Sequence, residues 1–171
     1  MEDIKRAIRD VPDFPKPGII FKDITPILQN VEIFQKTIQT LIQRYQNKNF
    51  DKIAGIESRG FLFASALAYA LKKSFVLVRK KGKLPWKTVS MPYDLEYGTD
   101  TVQMHEDAVH PGDKVLLVDD LLATGGTSAA ACELVQKMGG KILECAFVVE
   151  LDFLKGREKL KGVEVYSMVH F

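Results

Sequence analysis

The segment 115–127 constrains this chain more than any other. Four apolar residues, Val115-Leu116-Leu117-Val118, run into two acids, Asp119 and Asp120, and then through Leu121-Leu122 into Ala123-Thr124-Gly125-Gly126-Thr127. A short continuous apolar run of this kind reads as a strand buried on both faces, as in a parallel sheet covered by helices. The small-residue loop then opens a helix over 127–138, which Gly139-Gly140 ends where a C-cap wants glycine. A strand, a glycine loop and a helix in that order are the parts of an open α/β sheet, which binds its ligands beyond the carboxyl ends of its strands.

The same rhythm recurs along the chain. Residues 31–45 carry Ile33, Phe34, Thr37, Ile38, Leu41, Ile42 and Tyr45 at helical spacing. Strand-like runs at 52–56, 75–78, 114–118 and 142–149 alternate with helical stretches at 61–71 and 127–138. The expected fold class is therefore α/β, a mainly parallel twisted sheet flanked by helices. In 11–30, Pro12, Pro15, Pro17 and Gly18 argue against a helix, with Pro26 closing the short apolar segment Ile19-Ile20-Phe21. Between Lys80 and Glu106 the rhythm breaks, and 88–93 and 101–104 are placed to pair as a hairpin. Long excursions of that sort in a compact fold tend to be functional. At 171 residues the chain suits one domain, 1–171.

Composition removes several classes of function. Lys plus Arg is 24 against 22 for Asp plus Glu, a net charge of +2, which does not suit a general polyanion-coating protein. Cys132 and Cys145 make no disulfide framework and, with His105, His110 and His170 scattered, no zinc spacing. They read as small core hydrophobes without a redox role, and the histidines as surface or structural groups. The first ten residues lack a signal-peptide core, and the longest apolar stretch, 61–71, is too short to cross a bilayer. A reduced cytoplasmic setting is expected, with no membrane and no nucleic-acid partner.

The loop 123–127 has the chemistry of an anion cradle. Its backbone N–H groups open a helix, Gly125 and Gly126 allow close approach, and Thr124 and Thr127 add hydroxyl donors. Asp119 and Asp120, at the same mouth, suit sugar hydroxyls or a hydrated metal and repel phosphate. The loop lacks the lysine of a P-loop, so it suits a monophosphate rather than a triphosphate, and it is not a G-x-G-x-x-G fingerprint. A capped strand–helix connection with no ligand is the plainer alternative.

Residues 115–127 resemble the phosphoribosyl-pyrophosphate (PRPP) motif of the type I phosphoribosyltransferases. Other segments resemble the adenine-specific members of that family. These are Phe14-Pro15-Lys16-Pro17-Gly18-Ile19-Ile20-Phe21-Lys22-Asp23, Glu57-Ser58-Arg59-Gly60-Phe61, Arg79-Lys80-Lys81-Gly82-Lys83-Leu84-Pro85 and Leu95-Glu96-Tyr97-Gly98. The resemblance spans almost the whole chain, in order. It implies the type I phosphoribosyltransferase fold, with a base-binding hood over 1–30, a flexible catalytic hairpin loop over 80–106, and a homodimer. It implies conversion of adenine and PRPP into AMP and pyrophosphate with Mg²⁺.

The resemblance also implies roles for residues. Asp119, Asp120, Ala123, Thr124, Gly125, Gly126 and Thr127 would bind the ribose and 5′-phosphate, with Mg²⁺ held through PRPP and waters near the two acids rather than directly. Glu57, Ser58, Arg59, Lys80 and Lys83 would serve the pyrophosphate, with Arg79 reaching toward a partner subunit's site. Ile20, Phe21 and Lys22 would read adenine. Glu96, in proton transfer, and Arg59, on the departing pyrophosphate, would be the catalytic residues, with Tyr97 steadying Glu96. Lys22 stands where an arginine is common in relatives, and Trp86 where a smaller residue is common. A PRPP-sensing regulator on the same fold would need a further DNA- or partner-binding domain. An enzyme for a 6-oxopurine would need a base-reading lysine that Glu150-Leu151-Asp152-Phe153 does not supply.

Overall fold

The structure, a computed structural model, describes residues 1–94 and 98–171. Helix α1 (Glu2–Ala7) leads into strands β1 (Arg9–Pro12) and β2 (Ile20–Asp23), which pair antiparallel as a separate two-stranded flap. The Asp23 carboxylate accepts from the Thr25 N–H at 2.9 Å and from its hydroxyl at 2.8 Å, and α2 (Thr25–Gln29) starts there. The expectation of no helix in 11–30 is thus corrected. Pro26 opens a helical turn rather than closing a segment, because its missing N–H falls in the first turn, where no intrahelical acceptor awaits it. Helix α3 (Val31–Tyr45) matches its expected bounds, and the Asn30 side chain caps it by accepting from the N–H groups of Glu32 and Ile33 at 3.1 Å each.

Then follow β3 (Lys52–Ile56), α4 (Gly60–Leu71), β4 (Ser74–Lys80), β5 (Thr88–Asp94), β6 (Thr99–His105), β7 (Lys114–Leu122), α5 (Gly126–Lys137), β8 (Lys141–Glu150) and, after two 3₁₀ turns, β9 (Val165–His170). The main sheet runs β5-β6-β4-β3-β7-β8-β9. Its five strands from β4 to β9 are parallel, while β6 is antiparallel to both β4 and β5. The hairpin foreseen in the excursion is β5–β6. It joins the sheet at the end of β4, where Arg79 and Lys80 pair with Gln103 and Val102. Strand β9 and the flap strand β1 were not foreseen, and β7 continues through the acids to Leu122.

Alternation along β7 explains its unbroken apolar run. Leu116 and Val118 pack into one core with α1–α4, and Val115 and Leu117 into a second with α5 and the hairpin. All four are at most 1% exposed. Each such burial stabilises the fold by about 1.5–3 kcal/mol. Because α4 leads outward from β3 to β4 and α5 leads the other way from β7 to β8, the strand order reverses between β3 and β7. That is the switch point where an open α/β sheet leaves a crevice.

Candidate active site

A cleft of about 400 Å³ occupies that crevice. On one side, β3 ends in Glu57-Ser58-Arg59 before α4. On the other, β7 carries Asp119 and Asp120 into the loop that starts α5. Gly60 makes the junction possible. A Cβ there would lie 2.5 Å from Asp119 Oδ1 and 3.0 Å from the Val118 carbonyl oxygen, so the start of α4 sits directly on the acid pair. Gly125, at the N-cap of α5, has φ +77° and faces the Gly156 carbonyl too closely for any Cβ. The first N–H groups of α5, free of intrahelical partners, open into the cleft together with Thr124 and Thr127.

The acids are held against their ordinary chemistry. Burial, and then the neighbouring Asp120 charge, push the Asp119 carboxyl well above the usual range. Burial also raises Asp120, partly offset by the Arg59 cation. The Asp120 N–H donates to Asp119 Oδ1 at 2.9 Å. Arg59 Nε lies 2.8 Å from Asp120 Oδ2, yet off the line of its N–H, so the contact is ionic rather than a hydrogen bond. The same guanidinium stands 5.3 Å from the centre of the Phe21 ring, which links the flap to the cleft.

Glu57, Ser58, Arg59, Arg79, Lys80, Asp119, Asp120 and residues 123–127 therefore come together on one surface. Several details refine the expectation. Arg79 Nε donates to Glu57 Oε2 at 2.7 Å and its Nη1 to the Lys83 carbonyl at 3.0 Å, so it is engaged within its own chain. Glu57 accordingly anchors a cation. Lys83 is exposed outside the cleft lining. Ile20, Phe21 and Lys22 lie on β2 outside the cleft lining and meet its rim through the Phe21–Arg59 contact, with Phe14 packed edge-on against Phe21 at 5.1 Å. The Lys22 side chain turns away from that rim, to Asp10 Oδ1 at 2.6 Å and over the Phe171 ring. Glu96 and Tyr97 lie outside the described residues. Tyr93, Leu121 and Ser128 line the cleft without having been singled out in the sequence.

Among the described residues, Glu150, Asp152 and His170 form a possible metal-ligand cluster. Both Glu150 oxygens already accept from Arg157, at 2.6 and 2.7 Å, so the cluster is explained as an ion pair. Cys132 and Cys145 are free and buried, with sulfurs 3.4 Å apart. No helix among the described residues is long and apolar enough to cross a membrane.

The family model of the phosphoribosyl transferase domain matches residues 23–168. An adenine phosphoribosyltransferase of Trichlorobacter lovleyi is 56% identical over all 171 residues, covering 100% of both chains. The chain belongs to the adenine phosphoribosyltransferase family. Its fold agrees with solved members. The enzyme of Thermoanaerobacter pseudethanolicus superposes with a TM-score of 0.96 at 51% identity, covering 99% of each chain. The Saccharomyces cerevisiae enzyme, solved with adenine and an imino-altritol bisphosphate, gives a TM-score of 0.92 at 44% identity, covering 98% of this chain and 97% of that one.

Proposed function

We infer that the protein is a pentosyltransferase of purine salvage. It moves the 5-phosphoribosyl group of PRPP onto N9 of adenine, forming AMP and releasing pyrophosphate. The observation that carries this is the single cleft in which a glycine loop at a helix N-terminus, an acid pair and a set of cations converge. A ligand with a phosphate at one end, a diol in the middle and a pyrophosphate at the other has the complementary order of charge. The yeast relative's complex with adenine and a bisphosphate supports the same pairing of ligands.

In this reading the 5′-phosphate sits against 123–127, where α5 amides and the Thr124 and Thr127 hydroxyls donate to it. Asp119 and Asp120 accept from the ribose hydroxyls. As the C1–O bond to pyrophosphate breaks, charge grows on the leaving oxygens, and Ser58, Arg59 and Lys80 stabilise it, with Lys83 joining when the loop 80–106 closes. Closure keeps water, a competing nucleophile, from the activated sugar. Phe21 offers a face to the purine, and backbone groups of Ile20 and Lys22 read its amine edge, whose donor–acceptor pattern a 6-oxopurine reverses. Glu96, by its resemblance, takes the N9 proton, and Tyr97 supports it. Two carboxylates side by side at the cleft, Asp119 half-buried and Asp120 buried, are a donor set suited to Mg²⁺ through waters and PRPP oxygens, and the ion would neutralise the pyrophosphate as it leaves.

The reading extends to one domain over 1–171, with 1–30 as hood, a cytoplasmic setting and a homodimer. The outward side of α4 supports the dimer, because Leu62 and Tyr69 there are 43% and 90% exposed on a helix that is apolar all round. The deciding assay is pyrophosphate release from PRPP with adenine, hypoxanthine or guanine, with and without Mg²⁺. Release with adenine and Mg²⁺ alone is expected. Turnover of a 6-oxopurine at a comparable rate would refute the hood's role, and no release with any purine would refute the function.

A further inference from the structure

The inner face of the β5–β6 hairpin is an apolar stripe with one break in it. Alternation puts Val89, Met91 and Tyr93 of β5 on the side that packs against the α5 core, and Met104 and Val102 of β6 beside them. The next inward position on β6 is 100, and there the chain has an acid. Asp100 and Tyr93 are direct cross-strand partners. The Tyr93 hydroxyl donates to Asp100 Oδ2 at 3.2 Å, and the Thr101 N–H donates to Oδ1 at 2.7 Å. Lys80 Nζ stands 3.1 Å from Oδ2. The Tyr93 ring lies against Gly126 at the start of α5. A chain of contacts, Gly126–Tyr93–Asp100–Lys80, thus joins the glycine loop to a cation of the excursion, and Gly126, Tyr93 and Lys80 all line the cleft.

We propose that Tyr93 is a positioning residue for the pyrophosphate end of the site: with its ring seated against Gly126 of the glycine loop, its hydroxyl holds Asp100 and, through Asp100, positions Lys80. This rests on the reading that the loop 123–127 takes the 5′-phosphate and Lys80 the pyrophosphate. The phenol has one proton, and it is committed to Asp100. Burial raises the Tyr93 pKa, which keeps the proton in place at neutral pH. Without the phenol hydroxyl, Asp100 keeps, among the described residues, the Thr101 amide and Lys80, both on the excursion side. Asp100 and Lys80 then lose their tie to the residue packed on the glycine loop. A ligand that reaches Lys80, PRPP, should suffer more than one that uses only the glycine loop, AMP.

The experiment is a double-mutant cycle on the whole protein, titrated with PRPP and separately with AMP. Tyr93→Phe keeps the ring against Gly126 and removes only the hydroxyl. It is expected to weaken PRPP about tenfold, the size of one hydrogen bond in a charged network, while AMP changes less than about twofold. In a Lys80→Met background the same substitution should have almost no further effect on PRPP. Asp100→Asn, which leaves Tyr93 in place, should reproduce the selective loss. A merely structural tyrosine would weaken PRPP by the same factor in both backgrounds and weaken AMP as much as PRPP, and either result overturns the proposal. If the unsubstituted protein bound neither ligand, the functional reading beneath the proposal would fail first.

Discussion

Replacing Gly125 and Gly126 by alanine, one at a time, separates two residues that look equivalent in the chain. At Gly125 φ is +77°, a region that costs an alanine roughly 1–2 kcal/mol. The added Cβ also points at the Gly156 carbonyl group, with that residue's carbon 3.0 Å away. The obstacle is backbone, so no flexible side chain can yield, and overpacking adds roughly 1–3 kcal/mol. The expected loss is roughly 2–5 kcal/mol, which for a chain of this size lowers Tm by roughly 4–20 °C. At Gly126 no positive φ is required, and the nearest atom to a Cβ is the Asp94 carbonyl oxygen at 3.3 Å. Slight crowding there is offset by alanine's advantage over glycine within a helix, about 0.5–1 kcal/mol, so stability should stay within about 1 kcal/mol of the parent. Urea unfolding with and without AMP measures both. Gly125→Ala should also lose AMP stabilisation, because any shift of that residue carries the first amides of α5 with it. Equal damage from the two substitutions, or a Gly125→Ala protein as stable as the parent, would refute the reasoning.

Arg59→Ala should weaken PRPP binding by at least about tenfold and AMP far less, because AMP lacks the pyrophosphate that the guanidinium serves; equal losses in parallel titrations would contradict the assignment. Glu144 is buried, which raises its carboxyl, but hydrogen bonds from Arg44, Tyr45 and Lys48 outweigh burial and leave its pKa below the usual value. A lowered folded-state pKa contributes stability above the unfolded carboxylate's pKa, and that contribution disappears as pH falls through the folded value. Glu144→Gln should therefore cost about 1.5–3 kcal/mol at pH 7. The gap to the parent should close below about pH 4 in urea unfolding at stepped pH; a gap independent of pH would show that charge is not the cause.

Local features were the most legible in the chain. Helix α3, β3 and the hairpin follow from spacing that depends only on which residues neighbour one another along the chain. The glycine loop after an acid pair was equally plain, because an anion cradle is built from consecutive backbone groups. Strand β9 was missed because its run 165–170 mixes Val165, Met168 and Val169 with polar groups, and only pairing with β8 makes it a strand. The N-terminal strand β1 is likewise a product of its partner β2, and Pro26 ends or begins an element according to whether Asp23 is free to hold the Thr25 N–H.

The sequence by itself determined which chemistries the cleft contains, since acids, cations, threonines and glycines keep their character wherever they fall. Only the tertiary structure decided how they are engaged: Arg59 on Asp120 and over Phe21, Arg79 on Glu57, Lys22 turned from the rim toward Phe171, and Gly125 rather than Gly126 against a carbonyl. The physical reason is distance along the chain. These contacts join residues brought together by sheet register and helix packing, and no local pattern encodes which of several nearby charges a long side chain will meet.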